Sequence, residues 1–121
     1  MGISKEEAVK ALQTRDKLYV AYAQATKLPY VTCDEETFND QAWIFATEEE
    51  IKEFGKKCLE DKILLMGMRY EKKDFPRLYG TFYAIGVNSV VWTEGEEKIE
   101  IELSDIAKQA DMSKVEESKR P

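Results

Sequence analysis

The side chains of this chain that could carry out chemistry are carboxylates, lysines and two cysteines, because the sequence contains no histidine. Without imidazole, the chain has no histidine base, no histidine metal ligand and no histidine pH switch. A cysteine nucleophile needs a neighbouring base or positive field that favours the thiolate. Cys33 is instead followed by acidic residues at positions 34–36, and Cys58 has the spacing of a core position in a helix. We therefore predict no catalytic residue.

A loop rich in carboxylates is the other candidate for chemistry. Asp34, Glu35, Glu36 and Asp40 could offer oxygen ligands to a hard cation. Their order lacks the Asp-x-Asx-x-Asx-Gly pattern of a calcium loop, so a solvated loop is the favoured interpretation. The glycines form neither a dinucleotide-binding motif nor a P-loop. We expect no metal site, no cofactor and no enzymatic activity.

Residues 69–79 are unusually basic and aromatic for an acidic chain, which has 18 basic and 24 acidic side chains and a net charge of −6. Arginine and tyrosine are favoured at protein interfaces because each combines a large contact area with directed hydrogen bonds. We predict a candidate interaction patch that consists of Arg69, Lys72, Lys73, Arg77 and Tyr79. The alternative is a solvated connection whose aromatic side chains point inward.

A ligand pocket between the sheet and the helices is a competing prediction. Large side chains that could line it are Met66, Met68, Tyr79, Tyr83 and Trp92. Ordinary core packing explains such a set more simply than a ligand does. A screen of metabolites and metals by thermal shift would separate the two, because a ligand at 100 times its Kd adds about 2.7 kcal/mol of stability.

The composition places these candidates in one soluble domain. A chain of 121 residues with 43% hydrophobic side chains can bury a single core. The acidic balance argues against a general nucleic-acid binder. The longest apolar run, residues 63–68, is too short to span a bilayer, and residues 1–6 contain no apolar signal segment. Two cysteines without CxxC spacing fit a reducing compartment, so we expect a cytoplasmic protein without membrane association.

Two capping boxes predict where helices begin. Ser4 and Glu7 start a helix over residues 4–12, and Thr47 and Glu50 start a second that ends near residue 61. In the second helix an apolar stripe at positions 51, 54 and 58 predicts the buried side. Gly55 interrupts this helix, which predicts close approach to a neighbouring element.

The remaining pattern predicts strands around a third helix. Strands are expected at residues 18–23, 29–33, 41–46, 63–68, 88–93 and 98–103. Residues 63–68 are apolar at every position, which predicts a central strand, and residues 98–103 alternate, which predicts an edge with charged outward side chains. Asp74 is expected to cap the third helix, and Gly86 is expected to terminate it. The apolar stripe that predicts the buried side of this helix ends at Ile85. The fold class is α+β, a single domain with a mixed, mostly antiparallel sheet of five or six strands and two to three packed helices, over residues 1–110. Residues 111–121 are expected to form a disordered tail.

The sequence resembles the N-terminal domain of the SseB family, a bacterial family associated with enhanced serine sensitivity. The similar segments are residues 28–32, 43–54 and 83–92, and the resemblance covers roughly residues 17–107. It implies no catalytic residue, because the family has none established. Longer members have a second, C-terminal domain, so the resemblance implies an accessory or interaction module. We expect an unidentified protein partner, no nucleic-acid partner, and a monomer or weak homodimer.

Overall fold

A computed structural model describes residues 4–95 and 97–106, which form one α+β domain with a mixed sheet, as predicted. The predicted tail at 111–121 lies outside the described residues. The elements are α1 (Lys5–Thr14), β1 (Lys17–Ala23), β2 (Val31–Cys33), β3 (Asp40–Phe45), α2 (Glu48–Glu60), β4 (Leu65–Glu71), a 3-10 helix (Lys72–Asp74), α3 (Phe75–Ala84), β5 (Ser89–Glu94) and β6 (Glu97–Glu102).

The sheet has the strand order β4-β1-β3-β5-β6, and β2 pairs beside β3. β3 and β5 are parallel, whereas the other strand pairs are antiparallel. A parallel pair needs a long crossover, and here the crossover contains α2, β4 and α3. The expected edge position of β6 is confirmed. The expected central position of β4 is wrong, since this strand forms the opposite edge.

The helices cover both faces of the sheet. On one face, α1 and α3 bury side chains such as Leu12 and Phe82 against Trp92 of β5 in the larger core. On the other face, α2 buries Ile51 against Ala21 and Phe45 in a smaller core. Because strand side chains alternate between faces, one strand contributes to both cores. The sheet is thus the middle of three layers.

Ser4 and Thr47, which begin the two predicted capping boxes, are confirmed as capping residues. The Ser4 hydroxyl accepts the Glu7 amide at 3.1 Å, and the Thr47 hydroxyl accepts the Glu50 amide at 3.2 Å. The Glu50 carboxylate does not return to its own helix as in a complete capping box. It accepts the Gly95 amide at 2.7 Å instead, and so joins α2 to the β5–β6 turn.

The third helix starts differently from the prediction. Asp74 makes no capping hydrogen bond with its side chain, because residues 72–74 already turn as a 3-10 helix that leads into α3. Its carboxylate instead pairs with Arg77 at 3.1 Å. Gly86 terminates the helix with a φ of 89°, as predicted. Ile85 is 41% exposed and does not belong to the buried stripe.

The close approach expected at Gly55 occurs at a different glycine. A Cβ placed on Gly55 would meet nothing within 4 Å, so the prediction for this residue is wrong. A Cβ placed on Gly67 of β4 would lie 3.2 Å from side-chain atoms of Ile51. Gly67 therefore lets α2 pack closely on β4, while the space beside Gly55 is open.

Candidate functional site

The outer edge of β4 is a row of backbone groups that no described strand pairs with. The hydrogen bonds from Gln24 N to Leu64 O (3.0 Å) and from Lys72 N to Asp16 O (2.9 Å) show which β4 residues face β1. In an antiparallel pair such residues alternate, so the even-numbered residues of β4 bond to β1. The amides and carbonyls of Leu65, Gly67 and Arg69 consequently point outward.

One of these outward groups is already used. The Leu65 carbonyl accepts the Gln24 side-chain amide at 2.9 Å. Gly67 and Arg69 keep both of their groups directed away from the sheet, since β1 is the one strand of the described residues that pairs with β4. Unpaired edge groups are a template for a further strand, which natural proteins usually blunt with prolines, bulges or inward-pointing charges. β4 contains no proline.

A groove of about 740 Å³ runs beside this edge between α2 and β4. Its floor includes Leu65 and Gly67, and the helix contributes Leu59 and Gly55. The gap at Gly55 widens the groove where any larger residue would project into it. The groove is therefore shaped by the missing side chain at Gly55 and by the apolar residues around it.

Large apolar side chains are exposed around this edge. Leu59 is 55% exposed and Leu64 is 54% exposed, and both line the groove. Met68 is 39% exposed and lies on the opposite face of β4, because it pairs with Val20 of the larger core. Single exposed apolar residues need no explanation, but a group along one free edge is typical of an interaction site.

The charges that line the groove are mainly positive. Lys52, Lys56 and Arg69 line it together with one carboxylate, Glu48. Lys52 pairs with Glu48 at 3.3 Å, and Lys56 pairs with Glu53 at 3.4 Å. No carboxylate of the described residues lies within the 4.0 Å ion-pair distance of Arg69. The groove thus carries a local positive charge on an acidic molecule.

The structure distributes the predicted patch over both sides of the sheet. Arg69 lines the groove on the α2 side, while Arg77 lies on α3, which packs on the other side. Lys72 and Lys73 are exposed in the 3-10 helix between them. Tyr79 packs against the larger core, and its hydroxyl donates to the Leu12 carbonyl. Tyr79 is thus a packing residue, as the inward-pointing alternative predicted for the aromatic side chains.

The residues of the predicted pocket occupy different environments. Trp92 is 0% exposed in the core, whereas Tyr83 is 80% exposed on the outside of α3. Tyr79 and Met66 pack against the larger core, and only Met66 of these residues also borders the groove. Core packing, the simpler interpretation, accounts for Trp92 and Tyr79.

Sequence reasoning identified Arg69 but missed the rest of the groove. Lys52 and Lys56 were not singled out because charged residues on the outer side of a helix usually mean only solvation. Two kinds of signal were available. One is Gly55, a glycine in an otherwise helix-favouring segment. The other is a pair of leucines: Leu59 lies outside the buried stripe of α2, and Leu64 immediately precedes β4. Each of these signals is weak until the fold places them around one edge.

The acidic loop and the cysteines offer no second site. Asp34 accepts the amides of Thr37 and Glu36 at 3.1 and 2.8 Å, and these hydrogen bonds lower the pKa of its carboxyl group. Within residues 4–95 and 97–106, no group of three or more histidine, cysteine or acidic side chains could hold a metal ion. Cys33 is exposed and Cys58 is half-buried, and neither forms a disulfide within the described residues.

No family model matches the chain, and no curated protein matches it. The resemblance to the SseB N-terminal domain therefore stays a prediction. Among the described residues, no helix is long and apolar enough to cross a membrane.

Proposed function

We propose that this chain is a non-enzymatic protein-interaction module that binds an extended segment of a partner protein along β4. The observation that carries the proposal is the outward row of backbone groups at Gly67 and Arg69, which no described strand pairs with and which lies directly beside a groove. A peptide that adds a strand to a sheet edge gains affinity from backbone hydrogen bonds and specificity from alternate side chains. β4 offers both kinds of contact.

A small-ligand module or enzyme is the second candidate, because a groove of about 740 Å³ lies within the usual size range of ligand sites. Small-molecule sites are usually concave and mostly apolar, with a few convergent polar groups. This groove is bounded on one side by a strand edge, whose donors and acceptors repeat along a line rather than converge. That repeat fits a polypeptide better than a compact ligand.

The bacterial cytoplasm is the proposed location. The two free cysteines, one of them exposed, are typical of a reducing compartment. The predicted resemblance to the SseB N-terminal domain adds the bacterial source and the accessory role. These parts of the proposal are tested by fractionation of the native cells and do not affect the binding experiment below.

The binding experiment compares two substitutions at one position on the edge. A phage-displayed library of unstructured peptides is selected on the wild-type domain, and the enriched peptides are measured against Arg69→Ala and Arg69→Pro. Both variants lack the guanidinium, but only proline lacks the outward amide. We expect peptide affinity to be about tenfold weaker for Arg69→Pro than for Arg69→Ala.

Hydrogen exchange on the wild type supplies a measurement that needs no mutation. Bound peptide should protect the amides of Gly67 and Arg69, which no described strand pairs with. Equal affinity for the two variants, or enriched peptides that leave these amides unprotected, would contradict binding along β4. Failure of the library to yield any binder, together with a thermal shift by a metabolite, would favour the small-ligand candidate.

A further inference from the structure

We infer that the segment bound by β4 is acidic and aliphatic, runs antiparallel to β4, and places a carboxylate opposite Arg69 and aliphatic residues opposite Gly67 and Leu65. This inference rests on the proposed function and specifies the partner's chemistry. From amino to carboxyl end, the expected pattern is Glu-x-Leu-x-Leu, where Asp can replace Glu and other aliphatic residues can replace Leu.

The direction and the register follow from the backbone of β4. Antiparallel pairing is slightly more stable per residue than parallel pairing. Leu65, Gly67 and Arg69 have their backbone groups directed outward and their side chains on the α2 face. In such a pair, residues directly opposite each other share a face, so every second residue of the peptide enters the groove. Because the peptide runs antiparallel to β4, the peptide residue opposite Arg69 is nearest the peptide's amino end, and the residues opposite Gly67 and Leu65 follow.

Aliphatic residues fit the positions opposite Gly67 and Leu65 because the groove beside them is lined by apolar side chains. Ile51 of α2 packs over Gly67, and Gly55 leaves open space one turn further along the same helix. Leu59 and Leu65 supply apolar contact on either side. An aliphatic side chain in this space would cover leucine surface that is now exposed to water, and removing apolar surface from water is favourable.

A carboxylate fits the position opposite Arg69 because this cation has no ion-pair partner among the described residues. Opposed side chains of opposite charge stabilise a strand pair, and arginine binds a carboxylate through two parallel hydrogen bonds. Glu71 is the next outward residue, and its charge disfavours a second carboxylate one step further along the pair. The acidic position is thus fixed at Arg69.

The same charges disfavour a second copy of this chain as the occupant. Two β4 edges brought together antiparallel around Gly67 would place their two grooves, each lined by Lys52, Lys56 and Arg69, side by side on one face of the joined sheet. Like charges at an interface are costly. An acidic segment from another protein meets this positive groove without that cost.

The charge is tested with two synthetic peptides that carry a Glu-Thr-Leu-Thr-Leu or a Lys-Thr-Leu-Thr-Leu core between blocked ends. They are measured by isothermal titration against the wild type and Arg69→Glu. We expect the glutamate peptide to bind the wild type about fivefold tighter than the lysine peptide, and the order to reverse for Arg69→Glu. The preference should shrink as salt rises. Equal binding of both peptides to both proteins would overturn the acidic specificity.

The aliphatic positions are tested by closing the gap in α2. Gly55→Leu fills the groove, and Gly80→Leu on α3 is a matched control, since a Cβ at either helical glycine meets nothing within 4 Å. We expect Gly55→Leu to weaken the glutamate peptide at least about tenfold and Gly80→Leu to leave its affinity unchanged. Equal affinity of the glutamate peptide for both variants would show that its leucine side chains do not bind in the groove.

The outcomes separate this inference from the proposed function. If Arg69→Pro loses library peptides while neither synthetic peptide is preferred, β4 binds a strand but not an acidic one, and only the inference fails. If no peptide protects the amides of Gly67 and Arg69, the proposed function fails as well. Light scattering supplies the last outcome. If the mass rises with protein concentration and Gly55→Leu abolishes that rise, a second copy of this chain occupies the edge, and both the inference and the proposed function fail.

Discussion

Two tyrosines bury their rings in the larger core and satisfy their hydroxyls inside the protein. Tyr22 shares a hydrogen bond with Tyr70, and Tyr79 donates to the Leu12 carbonyl. Burial raises the pKa of Tyr79 well above its usual value, and burial together with the Tyr70 hydrogen bond does the same for Tyr22. The native state therefore holds these protons more firmly than the unfolded chain does.

This difference predicts a loss of stability in alkali. The contribution of a group with a raised pKa is fully present below the unfolded tyrosine pKa of about 10 and is lost as pH rises toward the folded value. We expect the free energy of unfolding to fall above pH 10, by up to about 1.4 kcal/mol per pH unit for each tyrosine. Urea denaturation at pH 8 to 11.5 measures this slope.

Tyr79→Phe removes one titrating group and should make the slope shallower, although losing the bond to Leu12 lowers stability at pH 7 by about 1 kcal/mol. Tyr83→Phe is the control, because this side chain is 80% exposed and is solvated in both states. A Tyr79→Phe slope as steep as that of the Tyr83→Phe variant would contradict the role assigned to Tyr79.

At the scale of elements, α2 packs on the sheet through Ile51 and through the aromatic side chain of Phe54. The Phe54 ring lies 4.9 Å from the Trp43 ring, 5.0 Å from Phe45 and 6.2 Å from Tyr30, measured between centroids. Offset and tilted aromatic pairs add to the effect of burial. The helix forms one wall of the groove, so its attachment also determines the shape of the candidate site.

Phe54→Ala should destabilise the domain by about 2–3 kcal/mol, less than for a fully buried phenylalanine because the ring is half-buried. The near-ultraviolet circular dichroism of Trp43 should weaken at the same time. Leu59→Ala on the same helix should cost about 0.5 kcal/mol or less, because this side chain is 55% exposed. Similar losses for the two variants, measured by urea denaturation, would show that α2 is not held in this way.

The position of each helix and strand in the chain could be predicted from the sequence more reliably than which strands lie side by side in the sheet. Capping residues and apolar stripes are local signals, and they located α1, α2 and α3 to within a few residues. The apolar pattern around β4 was interpreted as a central strand because both faces of this segment carry apolar side chains. Such a pattern reports how a strand's faces are covered, and it contains no information on how many strands lie beside it.

At the scale of the whole molecule, the sheet ends in two edges that differ in kind. β6 alternates charged and apolar side chains, with Glu100 and Glu102 on one face, whereas β4 has exposed apolar residues around it. The candidate site was only partly predictable for this reason. Arg69 was found by composition, but Gly55 and Lys56 acquire a role only because the chain returns β4 beneath α2.

The whole molecule is expected to be a monomer or a weak dimer. The charged edge at β6 discourages pairing, and the positive groove discourages contact between two β4 edges. Light scattering at micromolar concentration should give a mass close to the monomer's 14.0 kDa. A stable tetramer would contradict the prediction, and a dimer that strengthens with salt would show that charge is what keeps the β4 edges apart.

The strand order has a consequence for synthesis on the ribosome. Gln24, which bonds to Leu65, precedes it by 41 positions, and Asp40 precedes its partner Asn88 by 48 positions. At 5–20 residues per second, β1 emerges about 2–8 s before the strand that completes its outer side. During this interval the nascent chain exposes β1 itself as an unfinished edge, and that exposure ends only when translation delivers β4. The strand whose outer edge we infer to bind a partner is thus also the strand whose inner side covers β1 during synthesis.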